Sequence, residues 1–332
     1  MKVSLNWIKE YVDLPSNLDL TSLSHDLTMR TVEVEDAVNP ADSLKHILVG
    51  IITDIKTHPQ ADMLKVCLVD IGQDQDSTIV CGGSNIAVGQ KVAVAVPGAY
   101  VRWHGEGEPV LIKPTKLRGV KSDGMICASA EMGLEDLFPT GDDHEILDLS
   151  GFAAATPGMG VGQALQLDDI ILEIDNKSLT NRPDLWCHYG IARELAAIYG
   201  SKLKELPRFE APGHLPAYPV SIKNEDRCRR YAALQYENLR NEPSPYWLKL
   251  CLWKTGIRPI SSLVDITNYV MLAVGQPTHA FDKNMVQEEI VVRMAKPGES
   301  LTLLDGKVLK LTPDDLMICD HKEPIALAGV MG

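Results

Sequence analysis

Residues 47–117 carry five runs in succession: ILVGIITDI (47–55), LKVCLVDI (64–71), STIVCGG (77–83), KVAVAVPG (91–98) and VLIKPTKL (110–117). Each is short and rich in β-branched residues, and most alternate apolar with polar positions, the signature of a half-buried strand. Turn-forming clusters separate them: HPQAD (58–62), GQDQD (72–76), GGSN (82–85) and PGAY (97–100). Five short strands within about 100 residues predict a small closed β-barrel of the kind that binds oligonucleotides.

The chain on either side of this block reads differently. Ser4 is placed to cap an amphipathic helix bearing Trp7, Ile8 and Tyr11, a second helix fits Leu20–Met29, and TVEVEDAV (31–38) reads as a strand. GFAAATPGMGVG (151–162) reads as a return loop, and a strand follows in ALQLDDIILEID (164–175). The turn NKSLTNRPD (176–184) then leads into the helix LWCHYGIARELAAIYG (185–200), with Asp184 as its expected N-cap and Gly200 as its stop. Four prolines mark 207–219 as a linker. Beyond it, strand character is expected in the second half of residues 221–240. Helices are expected at PSPYWLKLCLWKTGI (243–257), opened by Pro245, and at SLVDITNYVMLAVG (262–275), and a strand at EEIVVRMAK (288–296). The expected fold class is a multidomain α+β chain. A discontinuous α/β first domain (1–40 and 151–205) receives the five-stranded barrel (41–150) as an insertion. A linker (206–219) then leads to an α+β module (220–332).

The net charge of -13 argues against nonspecific coating of nucleic acid, but charges more than about 8–10 Å apart are screened from each other, so local distribution matters more. Residues 113–121 (KPTKLRGVK) hold Lys113, Lys116, Arg118 and Lys121 with no acid among them, and residues 223–258 form a second basic island. Either can be a solvated face or an anion-binding one. No run of 18 apolar residues occurs, and Lys9, Glu10 and Asp13 interrupt the start where a signal peptide needs an apolar stretch, so a cytoplasmic location is expected. Seven scattered cysteines without a C-x-x-C pair support neither a zinc ribbon nor a disulfide framework. Gly158-Met159-Gly160-Val161-Gly162 is glycine-rich, but it is expected to lead into a strand and so cannot present a helix N-terminus to a pyrophosphate. Cys81-Gly82-Gly83-Ser84 has the look of a nucleophile loop, yet His58 and His104 stand at no spacing that makes a dyad, and a strand end with a turn is the better reading.

The barrel block resembles the tRNA-binding OB domain of several synthetases. The matching stretches are His58-Pro59-Gln60-Ala61-Asp62, Leu64-Lys65-Val66, Val69-Asp70-Ile71-Gly72, Ile79 to Asn85 and, most specific, Leu117-Arg118-Gly119-Val120-Lys121-Ser122-Asp123-Gly124-Met125. The flanks narrow the resemblance. MKVSLNWIKEYVDLP, Asn181-Arg182-Pro183-Asp184 with Gly190-Ile191-Ala192-Arg193-Glu194, Gly256 to Ile260, Val264 to Tyr269, Gly275 to Asp282, and Ala326 to Gly332 are together similar to the β subunit of bacterial phenylalanyl-tRNA synthetase, in the same order.

That resemblance implies a tRNA-binding and editing portion of an α2β2 heterotetramer that charges tRNA(Phe) with phenylalanine. The aminoacylation site and its ATP would lie on the α subunit, and magnesium in another part of β. No cofactor would be bound by this chain, and neither DNA nor a membrane is an expected partner. It further implies hydrolysis of mischarged Tyr-tRNA, a second sieve for an isostere that adds only a hydroxyl. The implied editing pocket comprises Arg258, Asn268, His279, Gly329 and Gly332. The implied tRNA contacts are Lys65, Ser84, Asn85, Lys113, Lys116, Arg118, Lys121 and Ser122. Asn268 can equally cap or bridge helices, Arg258 can be a plain surface residue, and Arg182 with Asp184 can pair at a helix start. The sequence stops inside the last of these motifs, so the editing module is expected to be truncated and inactive alone. A non-catalytic tRNA-binding or subunit-assembly module is the alternative.

Overall fold

The computed structural model describes residues 1–208, 210 and 218–329. Most of the expected linker, together with Gly332, lies outside them. By internal contacts the chain groups into two units, one of residues 1–205, 244–260 and 268–276, the other of 206–243, 261–267 and 277–332.

The first unit opens with β1 (Lys2–Ser4), which passes directly into α1 (Leu5–Tyr11). Ser4 makes that junction possible, because its Oγ accepts the Trp7 N–H and satisfies an otherwise orphaned helix donor. After α2 (Leu20–Arg30), capped by Asp19, comes β2 (Val34–Val38). Beyond the barrel, residues 158–162 do not enter a strand as expected. They form the single turn α3 (Val161–Ala164), closed by Ala164 N–H to the Gly160 carbonyl. Gly162 is required there, since a Cβ would sit 2.9 Å from that of Ala41. The strand that follows, β12, is shortened to Ile171–Ile174 and lies between β1 and β2 in a three-stranded antiparallel sheet. Helix α4 (His188–Tyr199) covers it, and Val3, Ile8, Leu27, Leu172, Ile191 and Leu195 fill the shared core. The expected cap of α4 is corrected. Cys187 takes that position, its Sγ accepting the Gly190 N–H, because Asp184 is drawn away by Arg182 and Arg193.

The barrel comprises β3 (Ile47–Thr57), β4 (Lys65–Asp70), β5 (Ser77–Cys81), β6 (Lys91–Ala95), the ribbon β7 (Tyr100–Val101) with β8 (Val110–Leu111), the hairpin β9 (Thr115–Leu117) with β10 (Val120–Ser122), and β11 (Met125–Ile126). Its five-stranded sheet runs β11-β6-β3-β4-β5, so the fifth strand is Met125–Ile126 and not VLIKPTKL. The latter stretch is divided at Pro114, which has no N–H to give to a ladder, and its halves serve β8 and β9. The seam between β5 and β11 is nearly closed: the Asp123 N–H donates to the Thr78 carbonyl and the Val80 N–H donates to Ser122 Oγ.

Two further helices belong to this part of the sequence, α5 (Tyr246–Lys254) and α6 (Ser262–Val274), the second of which contributes residues to both units. Within the first unit the buried Lys254 ammonium lies 3.0 Å from the Asp169 carboxylate, which also accepts the Ser4 hydroxyl at 2.6 Å and the Asn6 N–H at 3.0 Å. His188 is fully buried, stacks on Trp7 at 3.9 Å between centroids, accepts the Ser4 N–H at Nε2 and donates from Nδ1 to the Leu272 carbonyl.

The second unit holds a four-stranded sheet, β13 (Val220–Ile222), β14 (Ile290–Met294), β17 (Leu316–Cys319) and β18 (Pro324–Leu327) in that order, with β13 parallel to β14 and the remaining pairs antiparallel. The hairpin β15 (Ser300–Thr302) and β16 (Val308–Lys310) packs beside it around Leu301, Leu311 and Met317. The strand expected in the second half of 221–240 is absent. β13 ends at Ile222, where Asn224 starts a turn, and Leu234, Tyr236 and Leu239 face solvent.

Two outcomes follow for stability. Burial lowers the His188 pKa from its ordinary 6.5 to about 4. Between those values the unfolded chain binds the proton and the folded chain does not. Stability is therefore intact above pH 6.5 and falls toward pH 4, by at most about 1.4 kcal/mol per unit. Urea midpoints measured from pH 7.5 to 5 should show this decline, reduced in His188→Gln. Lys254→Ala strands a buried carboxylate and should cost about 3–5 kcal/mol in the same assay.

Candidate nucleic-acid interface

The hairpin of β9 and β10 projects the basic stretch. Its two-residue turn is Arg118-Gly119, with φ of 43° and 88°. Positive φ at both central positions gives the type of turn whose twist matches paired strands. Glycine adopts it freely, whereas an arginine there is strained. The register sets Lys116 directly opposite Lys121. Both are exposed on one face, while Ser122 on the other face is buried and Val120 half-buried. Like charges facing each other across a strand pair are unfavourable. Asp123 takes up Lys121 at 2.7 Å, and the Arg118 guanidinium reaches the Gln60 carbonyl at 3.4 Å. Among the described residues Lys113 and Lys116 make no ion pair, and both are exposed.

His58 fastens this hairpin to the loop before β4. Its Nδ1 accepts the Gln60 N–H at 3.1 Å, which leaves Nε2–H to donate to the Leu117 carbonyl, also at 3.1 Å. Sequence reasoning met His58 as a failed dyad partner and as part of the matching stretch HPQAD, and missed this bracing role, of which a turn sequence carries no signal.

The remaining expected contacts separate by burial and bonding. Ser122 is buried, accepts the Val80 N–H and donates to the Gly124 carbonyl at 2.8 Å, so its hydroxyl closes the barrel seam and does not reach outward. Gly124 is needed beside it, because a Cβ would stand 2.6 Å from the Ala95 carbonyl oxygen. Asn85 spends its side-chain amide on both backbone groups of Ile146, at 2.9 and 3.0 Å. Ser84 is exposed, with its N–H bound to the His144 carbonyl. Lys65 begins β4 opposite Cys81 and is half-buried. The Cys81 thiol is buried, and burial raises its pKa, the reverse of what a nucleophile needs.

The residues of the implied editing pocket fall as follows. Arg258 is exposed and lies 3.4 Å from the Asp136 carboxylate within the first unit. Asn268 is half-buried on α6 beside Tyr269, whose ring stacks on Trp7 at 4.8 Å. His279 and Gly329 belong to the second unit. His279 is exposed in a stretch without regular structure, its ring 6.4 Å from that of Phe281, and Gly329 has a φ of 83°. Arg182 and Asp184 resolve toward a structural pairing. Arg182 binds both Asp184 and Glu194, Arg193 joins Asp184, and the guanidinium of Arg182 brings the Asp184 pKa down to about 2. Among the described residues no group of three or more His, Cys, Asp or Glu side chains could hold a metal ion, and no helix is long and apolar enough to cross a membrane.

Comparison with known proteins gives two family matches, "Putative tRNA binding domain" over residues 47–155 and "B3/4 domain" over residues 227–332. Curated proteins named phenylalanine–tRNA ligase beta subunit align with the whole of this chain. Those of Anaeromyxobacter dehalogenans, Staphylococcus aureus (strain bovine RF122 / ET3-1) and Thermosynechococcus vestitus are 42%, 40% and 41% identical to it. The chain spans 40–41% of their length.

The seam geometry sets a test. Ser122→Ala leaves the buried Val80 N–H without its acceptor and should cost about 1–3 kcal/mol in urea unfolding. The salt dependence of RNA binding should stay at its wild-type slope, since no phosphate contact is removed.

Proposed function

The chain aligns end to end with the N-terminal part of phenylalanine–tRNA ligase β subunits, and from that premise we propose that it is the tRNA-holding and editing portion of such a subunit. The observation that carries the tRNA-holding role is the β9–β10 hairpin. On a chain of net charge -13 it gathers Lys116, Arg118 and Lys121 on a braced two-strand projection, with Lys113 just before it, inside the region matched by the tRNA-binding model. Unfavourable charge opposition and a strained arginine are tolerable where a polyanion relieves them. In this reading the lysines neutralise phosphates and Arg118 adds directional N–H donors, so the hairpin fixes position without reading sequence.

The proposal extends to the partners and chemistry that the resemblance implies. An α subunit would supply the ATP-dependent synthesis of Phe-tRNA, the two subunits working as an α2β2 assembly, with magnesium held by another part of β. Hydrolysis of mischarged Tyr-tRNA would belong to the module containing residues 227–332, the stretch matched as a B3/4 domain. There exposed His279, with Gly329, would engage the tRNA terminus, and Arg258 and Asn268 are the further candidates by resemblance. A bound water would be the nucleophile, so these side chains act by positioning.

Two experiments test the proposal. Lys116→Glu with Arg118→Glu should weaken tRNA binding by the chain by at least about tenfold at 50 mM salt, irrespective of tRNA sequence. It should also flatten the log K against log salt slope by about 1.5–2. An unchanged affinity and slope would remove the hairpin from the interface. In the assembled full-length enzyme, His279→Ala should slow Tyr-tRNA hydrolysis by about tenfold or more while Phe-tRNA synthesis stays at the wild-type rate; equal hydrolysis rates would remove His279 from the site.

A further inference from the structure

Residues 47–155 contain four aromatic side chains. Phe138 and Phe152 pack against the barrel core. The other two, Tyr100 and Trp103, are 57% and 56% exposed, so both rings present large apolar surface to solvent. Tyr100 lies directly across the β7–β8 ribbon from Leu111, which is also exposed. Trp103 sits on a tight turn that the structure holds firmly. The Arg102 N–H donates to the Glu131 carbonyl, the Glu106 N–H closes the turn on the Trp103 carbonyl, and Gly105 lies so close to Ala130 that a Cβ would stand 3.0 Å from its neighbour's. The rings are therefore presented by a fixed backbone.

From this we infer that Tyr100 and Trp103 form a stacking platform for unpaired RNA bases beside the phosphate-binding hairpin, a step that rests on the barrel's proposed role in tRNA binding. Four residue steps separate Leu111 from Thr115, the first residue of β9, so chain geometry limits their Cα separation to about 14 Å. A single strand whose phosphates meet Lys116 and Arg118 thus reaches the ribbon within a few nucleotides. Exposed Lys113 follows β8 at the base of the ribbon and exposed Arg102 directly precedes Trp103, whereas Glu106 and Glu108 lie further along the connecting loop. The charge pattern favours a polyanion beside Arg102 and Lys113, which flank the two rings in sequence, and disfavours one over Glu106 and Glu108. Aromatic faces accept any base, because stacking uses the π-face that all four share. A paired duplex keeps its bases stacked inside and offers the rings nothing.

The test uses the 332-residue chain and three probes: an unmodified tRNA(Phe) transcript, a single-stranded RNA 12-mer and a fully paired RNA duplex of equal length. Tyr100→Ala and Trp103→Ala should each weaken binding of the single strand and the transcript by about fivefold to a hundredfold. Duplex affinity and thermal midpoint should remain as in the wild type, and Trp103→Phe should retain most of the affinity. Losses under twofold for both alanine variants, equal losses on the duplex, or a Trp103→Phe variant as weak as Trp103→Ala would each overturn the platform. The Lys116→Glu, Arg118→Glu double variant separates the two ideas. If it loses affinity while the alanine variants do not, the platform alone fails; if it binds as the wild type, the hairpin reading fails, and the platform is decided by the alanine variants.

Discussion

The Asp169 carboxylate is the point on which the first unit turns. It is buried, so the fold must give it partners, and it takes three from two remote parts of the sequence: the Ser4 hydroxyl and the Asn6 N–H from the start of the chain, and the Lys254 ammonium. A charge withdrawn from water is tolerated only when its lone pairs are met in this way. The same Ser4 caps α1 with its hydroxyl and gives its N–H to His188. One short segment thereby ties the strand that opens the chain to α1, α4 and α5. Trp7 of the same segment stacks on both His188 and Tyr269.

The barrel segment of the sequence lies between two strands of that frame. β2 and β12 are neighbours in the three-stranded sheet, and the chain leaves one and returns to the other with the whole barrel between. Asn39 closes the opening, its amide donating to Asp168 at 2.7 Å and its carbonyl oxygen accepting the Asp169 N–H at 3.4 Å. Ends held this close make an insertion of any length inexpensive, because closure entropy rises only with the logarithm of loop length. Asp168 adjoins the buried Asp169, so the closing contacts of Asn39 lie beside the carboxylate that Ser4, Asn6 and Lys254 hold.

Much of this was legible in the sequence, and the failures have physical causes. Ser4, Gly200 and the span of α6 were readable because capping and 3.6-residue periodicity are local properties. The first four barrel strands were readable because each buries one alternating face. The fifth, Met125–Ile126, is two residues long and too short to show a period. Asp184 looked like a helix cap until two arginines claimed its carboxylate, a tertiary competition invisible in the local pattern. Ser122 stood among the RNA contacts that the resemblance implied, yet strand alternation turns it inward, to the seam. Tyr100 and Trp103 attracted no notice, since only burial distinguishes a displayed aromatic from a core one.

The basic hairpin shows why charge placement outweighs net charge in such a chain. Lys116 and Lys121 repel each other across β9 and β10, and Asp123 relieves only the second. An arginine holds a turn position that glycine would fill without strain. None of these choices favours folding, and the barrel can carry them because its closure is secured elsewhere, by Ser122, Gly124 and the bracing hydrogen bonds of His58. An acidic chain repels a polyanion over most of its surface, which disfavours unspecific association, and the hairpin is where that repulsion is locally reversed. Screening confines the reversal to about a Debye length, roughly 8 Å at physiological salt. On the proposed reading a partner would have to arrive correctly oriented to be held, and the unfavourable charge opposition within the hairpin would become a source of orientation with phosphate between the lysines.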